Sequence, residues 1–223
     1  MKKILYIYIV LYSSFCFSQN IFLTEAKEIH ANNDKFFYAL TEEPKTDAQY
    51  LGKIEVSGFS NDDAAVFSEI YKKAKSIGGN SYFMKPAENI EGNSTFNPHH
   101  YILYIYYKEK QTIPQKENTV YLINPEKEIE VRINNKKIKL PQRSFLQLDL
   151  SQQEITDISV GKFLGSRIKL QAKNNQPEQY FQISGKKISA NSPASPGINY
   201  KTGDIIALEK SFAEFLLTIY EKI

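Results

Sequence analysis

The sequence predicts an α+β protein: a small N-terminal α+β domain with one main helix packed on a sheet, then a mostly antiparallel β-sandwich domain with a C-terminal helix. Three observations carry this. A single helical pattern, closed by Gly78-Gly79, stands among strand-like segments in the first half. Beyond residue 118 the pattern turns to short strands alone, and near the end a helical stripe of Phe212, Phe215, Leu216 and Ile219 returns.

In chain order, "IFLTEAKEI" and "DKFFYAL" read as strands, with the turn-rich "EEPKTD" after them. "QYLGKIEVSGF" sets Ile54, Val56 and Gly58 against Leu51, Lys53, Glu55 and Ser57, the alternation of a half-buried strand. The helix follows, with Phe67, Ile70, Tyr71, Ala74 and Ile77 on one side. Ser60 or Asn61 is its expected N-cap; Asp62 and Asp63 suit the positive end of the dipole, and the lysines suit the other. Gly78 or Gly79 then supplies the left-handed residue that ends it. A phosphate loop would place its glycines before a helix, so the Gly-Gly-Asn motif reads as a C-cap. "NSYFMKP" resumes as a strand. "HHYILYIYYK", apolar on both faces, is expected at the centre of the sheet or covered on both sides.

The charged "KEKQTIPQKEN" marks a linker at 111–118, which sets domains at 19–110 and 119–223. After it, "EIEVRINNKKIKL" is a hairpin turning at Asn134-Asn135. "SFLQLDLS", "TDISVGKFL", "SRIKLQAK" and "QYFQISG" follow at sandwich spacing. "SANSPASPGINYKTGD" reads as a long surface loop, and "GDIIALEK" as the last strand.

The first 18 residues have the layout of a secretory signal peptide: Lys2 and Lys3, an apolar run from Ile4 to Tyr12, then small residues. That run is shorter than the ~20 residues a membrane span needs, so no transmembrane segment is expected after cleavage at Ser18. The expectation is an exported protein, periplasmic or extracellular, associated with the outer membrane. Lipidation of Cys16 would require small residues before it, and Phe15 stands there. Cys16 is the sole cysteine, so the remaining chain is expected to hold no disulfide and no thiolate site. Formal charge falls from +3 to +1 without Lys2 and Lys3, which gives no field pointing to nucleic acid.

From Leu51-Gly52 through Ala74 to Gly78-Gly79-Asn80 the first domain resembles the YbjQ-like and RcsF-like small envelope domains. In those, a Leu-Gly strand is followed by a helix ending in a small-residue and Gly pattern and then an apolar strand. That resemblance implies the fold, and for the YbjQ-like branch a ring assembly with a metal role. "VRINNK", Val131 to Lys136, followed by "LPQRSFLQLDL", is similar to the hairpin of PEGA-type β-sandwich modules of envelope proteins.

No convergent catalytic set is legible. The metal candidates are His99 and His100, but adjacent strand residues point to opposite faces, and a zinc site needs three or four ligands, with Tyr101 or Glu91 the nearest in sequence. The pair reads more simply as a polar strand entrance, and His30 as a surface residue. Glu42/Glu43 and Asp62/Asp63 sit at a turn and a helix start, where ionised carboxylates are already satisfied. "GFSND" and "GNSTF" lack the second glycine of a nucleophile elbow, and the Gly-Lys pairs lack a phosphate-loop context. The remaining candidates form an interaction surface: Tyr104 and Tyr106 as stacking rings, and Lys136 and Lys137 at the hairpin tip facing anionic headgroups or polysaccharide. Core burial of the tyrosines and edge protection by the lysines explain the same residues. The expected function is therefore a non-enzymatic interaction or structural protein of the bacterial envelope, without cofactor. Its partner would be an envelope protein, lipid headgroup or glycan. The alternative is a small-ligand or metal-binding oligomer built on the N-terminal domain.

Overall fold

A computed structural model describes residues 19–86, 97–109, 113, 116–161, 164–185, 187–190, 198–201 and 203–223. The expected signal peptide with Cys16, Glu91 and much of the expected linker lie outside the described residues. The protein is mostly β, with several sheets and, among the described residues, two helices. It divides into two compact units, Met1–Ile113 and Pro114–Ile223.

The first unit holds β1 (Asn20–Ala26), β2 (Tyr38–Ala39), β3 (Gln49–Ser57), helix α1 (Asp63–Ser76), β4 (Ser81–Pro86) and β5 (His100–Tyr107). Its sheet runs β1-β3-β5-β4-β2, so the strand that is apolar on both faces, β5, is central. "DKFFYAL" contributes only the two residues of β2, because Lys35 and Phe36 give their carbonyls to Tyr71 Oη and Lys75 Nζ of α1. In β3 the register slips between Tyr50 and Gly52. A bulge of this kind changes which face successive residues meet. It lets Leu51 be as completely buried as Ile54 and Val56, although strict alternation sets it with Lys53 and Glu55.

Asp62, not Ser60 or Asn61, caps α1: its Oδ1 accepts from the Ala65 N–H at 2.9 Å, while Ser60 Oγ accepts from the Asp62 N–H at 3.0 Å. The buried stripe is Val66, Ile70, Ala74 and Ile77, and Phe67 and Tyr71 flank it half-buried. At the other end the Gly79 N–H donates to Ala74 O and the Gly78 N–H to Lys75 O, the crossed pair of a Schellman cap, with Gly78 at φ +81°.

The second unit holds β6 (Thr119–Asn124), β7 (Ile129–Ile133), β8 (Lys136–Leu140), β9 (Ser144–Asp149), β10 (Thr156–Val160), β11 (Arg167–Leu170), β12 (Gln179–Ser184), β13 (Lys187–Ala190), β14 (Ile198–Lys201), β15 (Asp204–Ala207), α2 (Lys210–Ile219) and β16 (Glu221–Lys222). One sheet runs β11-β10-β7-β8 and another β15-β12-β6-β9-β16. They share a core in which Val131, Ile133, Leu140, Ile158 and Val160 of the first meet Val120, Leu122 and Ile183 of the second. On the other face of the five-stranded sheet, Tyr121, Phe145 and Tyr180 cluster, and Tyr180 Oη donates to Glu214 of α2 at 3.4 Å. Covered on both faces, β6 is buried at every position. The hairpin β7–β8 turns on Asn134 (φ 46°) and Asn135 (φ 68°), and Asn134 Oδ1 also accepts from the Asp157 N–H of β10 at 2.8 Å. The expected long loop from Ser189 to Asp204 instead takes in the end of β13 and the whole of β14, which pair with each other; residues 191–197 between them lie outside the described set.

Candidate interaction surface

The two faces of the first sheet differ. Leu103, Ile105, Ile54 and Val56 face α1 and are fully buried. The opposite face reads, by register, Phe22–Glu55–Ile102–Lys85 in one row, Lys53–Tyr104–Phe83 in the next and Tyr50–Tyr106–Ser81 in the third. Burial is graded along it. Tyr38, Ser81 and Tyr106 are buried at one end, Tyr50, Phe83 and Tyr104 are half-buried in the middle, and Phe22 on β1 is 55% exposed.

The rings form a continuous patch. Tyr50 lies 6.2 Å from Tyr104 and 5.5 Å from Tyr106, and Lys85 Nζ stands 4.8 Å above the Tyr104 ring. Polar pairs border it: Lys85 forms an ion pair with Glu43 at 2.6 Å, and His100 Nε2 lies in hydrogen-bonding contact with Glu55 Oε1 at 3.0 Å. Burial, aided by Glu25, pushes the Tyr50 phenol far above its ordinary range. Burial and then Glu43 push Tyr106 up to about 12. Both phenols are therefore neutral donors at any physiological pH.

The expected candidates separate on this framework. Tyr104 belongs to the patch. Tyr106 is only 5% exposed, packed against Tyr50, which removes it from an accessible surface. Lys137 and Arg132 share Glu130, at 3.1 and 3.8 Å, and Lys139 pairs with Glu128 at 3.2 Å. Much of the hairpin's positive charge is thus balanced within the hairpin, leaving Lys136 with no ion pair among the described residues. His99 is an exposed loop residue whose ring lies 4.9 Å from Phe59, whereas His100 is committed to Glu55. Among the described residues no three His, Cys, Asp or Glu side chains gather as a metal-holding group. His30 stacks on Tyr107 at 3.7 Å beside the helix C-cap.

The motif glycines are explained by packing. A Cβ on Gly52 would stand 2.2 Å from Glu25 O, one on Gly78 1.7 Å from His30 O, and one on Gly79 2.3 Å from Ile105 Cγ2. Asn80, 2% exposed, donates to Lys108 O at 2.8 Å and accepts from the Lys108 N–H at 2.9 Å, extending the strand pairing through a side chain. The Leu-Gly, Ala and Gly-Gly-Asn pattern is thus a set of close approaches that lock β1, α1 and β5 together.

Lys108, itself buried, pairs with exposed Asp47 at an open cleft of about 460 Å³ lined by Thr46, Asp47, Ala48, Gln49, Tyr107 and Glu109. The Lys108 hydrogen bond holds the Asp47 carboxyl below its ordinary value of 3.8. A carboxyl lowered by folding adds stability above its unfolded value and loses that contribution as pH falls through the folded one. The stability gap between wild type and Asp47→Asn, followed by urea unfolding, is expected to be constant from about pH 7 to about pH 5 and to close below that. A gap that persists to the lowest pH would show that the ion pair does not stabilise the fold.

In the second unit, Lys210 at the start of α2 reaches Glu178 at 2.9 Å and Glu214 at 3.5 Å. Burial opposes its charge, but the Glu178 hydrogen bond and the Glu214 field outweigh it and hold the amine above its ordinary value. With Tyr180 on Glu214, this cluster is occupied by its own partners and fastens α2 to β12. No sequence signal marked it, because Glu178, Lys210 and Glu214 meet only through the fold. No family model, curated protein or solved structure matches this chain.

Proposed function

We propose that this chain is an exported, non-enzymatic binding protein of the bacterial envelope that engages a neutral glycan through the aromatic patch of Tyr50, Phe83 and Tyr104. In this reading the first unit is an α+β module of the YbjQ-like and RcsF-like kind, and the second is a β-sandwich of PEGA type carrying its helix on one face. The observation that carries it is the half-buried row of rings on the sheet face turned away from α1. Aromatic faces suit sugar rings, whose C–H faces are apolar while their hydroxyls radiate to the side. The strand surface sets the rings side by side, Tyr50 tilted by 40° to Tyr104, so that successive sugars of a chain can each meet one ring. The bordering charges supply hydrogen-bond donors and acceptors, and because Lys85 is balanced by Glu43 they project little field toward a charged ligand.

Isothermal titration with a neutral oligosaccharide, and co-sedimentation with purified cell-wall sacculi, test this. Tyr104→Ala and Phe83→Ala are each expected to weaken binding about tenfold, as loss of about 1.4 kcal/mol of stacking would. Lys136→Ala is expected to leave it unchanged. Absence of binding to both materials, or binding indifferent to Tyr104→Ala, would reject the reading.

A further inference from the structure

We infer that β1 is a homodimerisation edge, on which a second copy of this chain adds its own β1 antiparallel to form one continuous ten-stranded sheet. This stands independently of the glycan reading. The argument begins with how the edge strands are protected. An unpaired strand edge offers free N–H and C=O groups to any other chain, and monomeric proteins blunt such edges with brevity, lysine or proline. The edges of the larger sheets here follow that rule: β2 and β16 have two residues each, β15 has four, β11 carries Arg167 and Lys169, and β8 carries Lys136, Lys137 and Lys139. In contrast, β1 is seven residues long, "NIFLTEA", with no lysine, arginine or proline in a chain that has 28 Lys and Arg, and its one irregularity, between Leu23 and Glu25, leaves Asn20 to Leu23 as regular strand. Among the described residues nothing pairs with its outer edge.

The sequence of β1 also complements itself. Antiparallel pairing about a two-fold axis at Phe22 sets Phe22 against Phe22 of the second copy on the outer face. Ile21 then meets Leu23 on the helix side, and Asn20 meets Thr24, the residue at which the pairing with β3 is irregular. Phe22 is 55% exposed in the single chain, and Ile21 and Leu23 are only half-buried, so all three gain cover from the added strand. The strand's one charged side chain, Glu25, falls outside this register, past the irregularity between Leu23 and Glu25. The two carboxylates are therefore kept away from each other. A two-fold contact of this kind closes on itself and stops at two copies.

The test is sedimentation equilibrium on the purified protein, joined to site-directed cross-linking in a Cys16→Ser background. Twice the chain mass is expected. Phe22→Lys places like charges opposite each other and is expected to weaken association about tenfold or more while leaving the far-ultraviolet circular dichroism unchanged. Phe22→Cys is expected to form an intermolecular disulfide on mild oxidation, and Thr24→Cys, displaced from the axis, is not. A wild-type monomer at all concentrations overturns the inference. So does a dimer that Phe22→Lys leaves intact, or one that Phe22→Cys fails to cross-link, since each places the contact elsewhere.

Discussion

Gly78→Ala is expected to destabilise the first unit by roughly 2–4 kcal/mol, combining the cost of a side chain at positive φ with that of overpacking. Both terms come from one place. Gly78 closes α1 at φ +81°, a region an L side chain enters at a penalty, and the added Cβ would lie 1.7 Å from the backbone oxygen of His30. That oxygen cannot step aside cheaply. The His30 N–H is bonded to Ile77 O at 3.1 Å, and its ring is stacked on Tyr107. Relief would mean moving the whole segment that connects β1 to β2. Such a loss is a large part of the 5–15 kcal/mol typical of a folded domain. Urea unfolding followed by circular dichroism measures it, with Gly185→Ala as the control. A Cβ at Gly185 meets nothing within 4 Å, and that change is expected to stay within about 0.5 kcal/mol of wild type. Equal midpoints for Gly78→Ala and Gly185→Ala would mean that the segment does not sit against the cap.

Asn124→Ala is expected to cost the second unit roughly 1–3 kcal/mol, because it removes the partner of the buried Leu140 carbonyl and of the part-buried Lys127 O and Glu126 N–H, while Pro141 O keeps the Ser144 hydroxyl at 2.7 Å. Asn124 is 1% exposed at the end of β6. Its Nδ2 donates toward Lys127 O at 3.1 Å, Leu140 O at 3.0 Å and Pro141 O at 2.8 Å, and its Oδ1 accepts from the Glu126 N–H at 3.3 Å. One amide thus ties together the turn leaving β6 and the end of β8. Asn124→Asp provides the sharper comparison. It keeps the acceptor but turns a carboxylate oxygen toward carbonyl oxygens, so it is expected to be at least as harmful as alanine despite its matching shape. Hydrogen exchange over residues 129–140 locates the damage, and differential scanning calorimetry gives its size. Tolerance of aspartate would show that the amide does not face those carbonyls.

Much of the chain's local structure was legible before any tertiary contact was known. The Asn134-Asn135 turn, the glycine end of α1, the central position of the doubly apolar β5 and the closing helix follow from short-range rules of φ, alternation and the 3.6-residue repeat. The misses have equally physical causes. Alternation places Leu51 with the polar residues because it assumes a regular strand, whereas a bulge is fixed by the neighbouring strand rather than by local sequence. "DKFFYAL" has the composition of a strand, yet the carbonyls of its first three residues bond to side chains of α1. Val66 lies on the buried side of α1 and Phe67 beside it, since a helix settles by the shape of the sheet beneath it.

The candidate surface divides in the same way. That Tyr104 and Tyr106 share one face of β5 is a matter of alternation, and the sequence alone determined it. Phe83 and Tyr50 join Tyr104 only because β4 and β3 pair with β5 in a particular register, and Tyr106 is lost to burial through packing that no spacing rule contains. The sequence by itself determined most of the strands and both described helices, though not β14 or the short extent of β2, because those choices depend on residues a few positions apart. Tertiary structure decided which edge is left open, which aromatics reach the surface and why Gly52, Gly78, Gly79 and Asn80 must be what they are, because each depends on atoms brought together from distant parts of the chain.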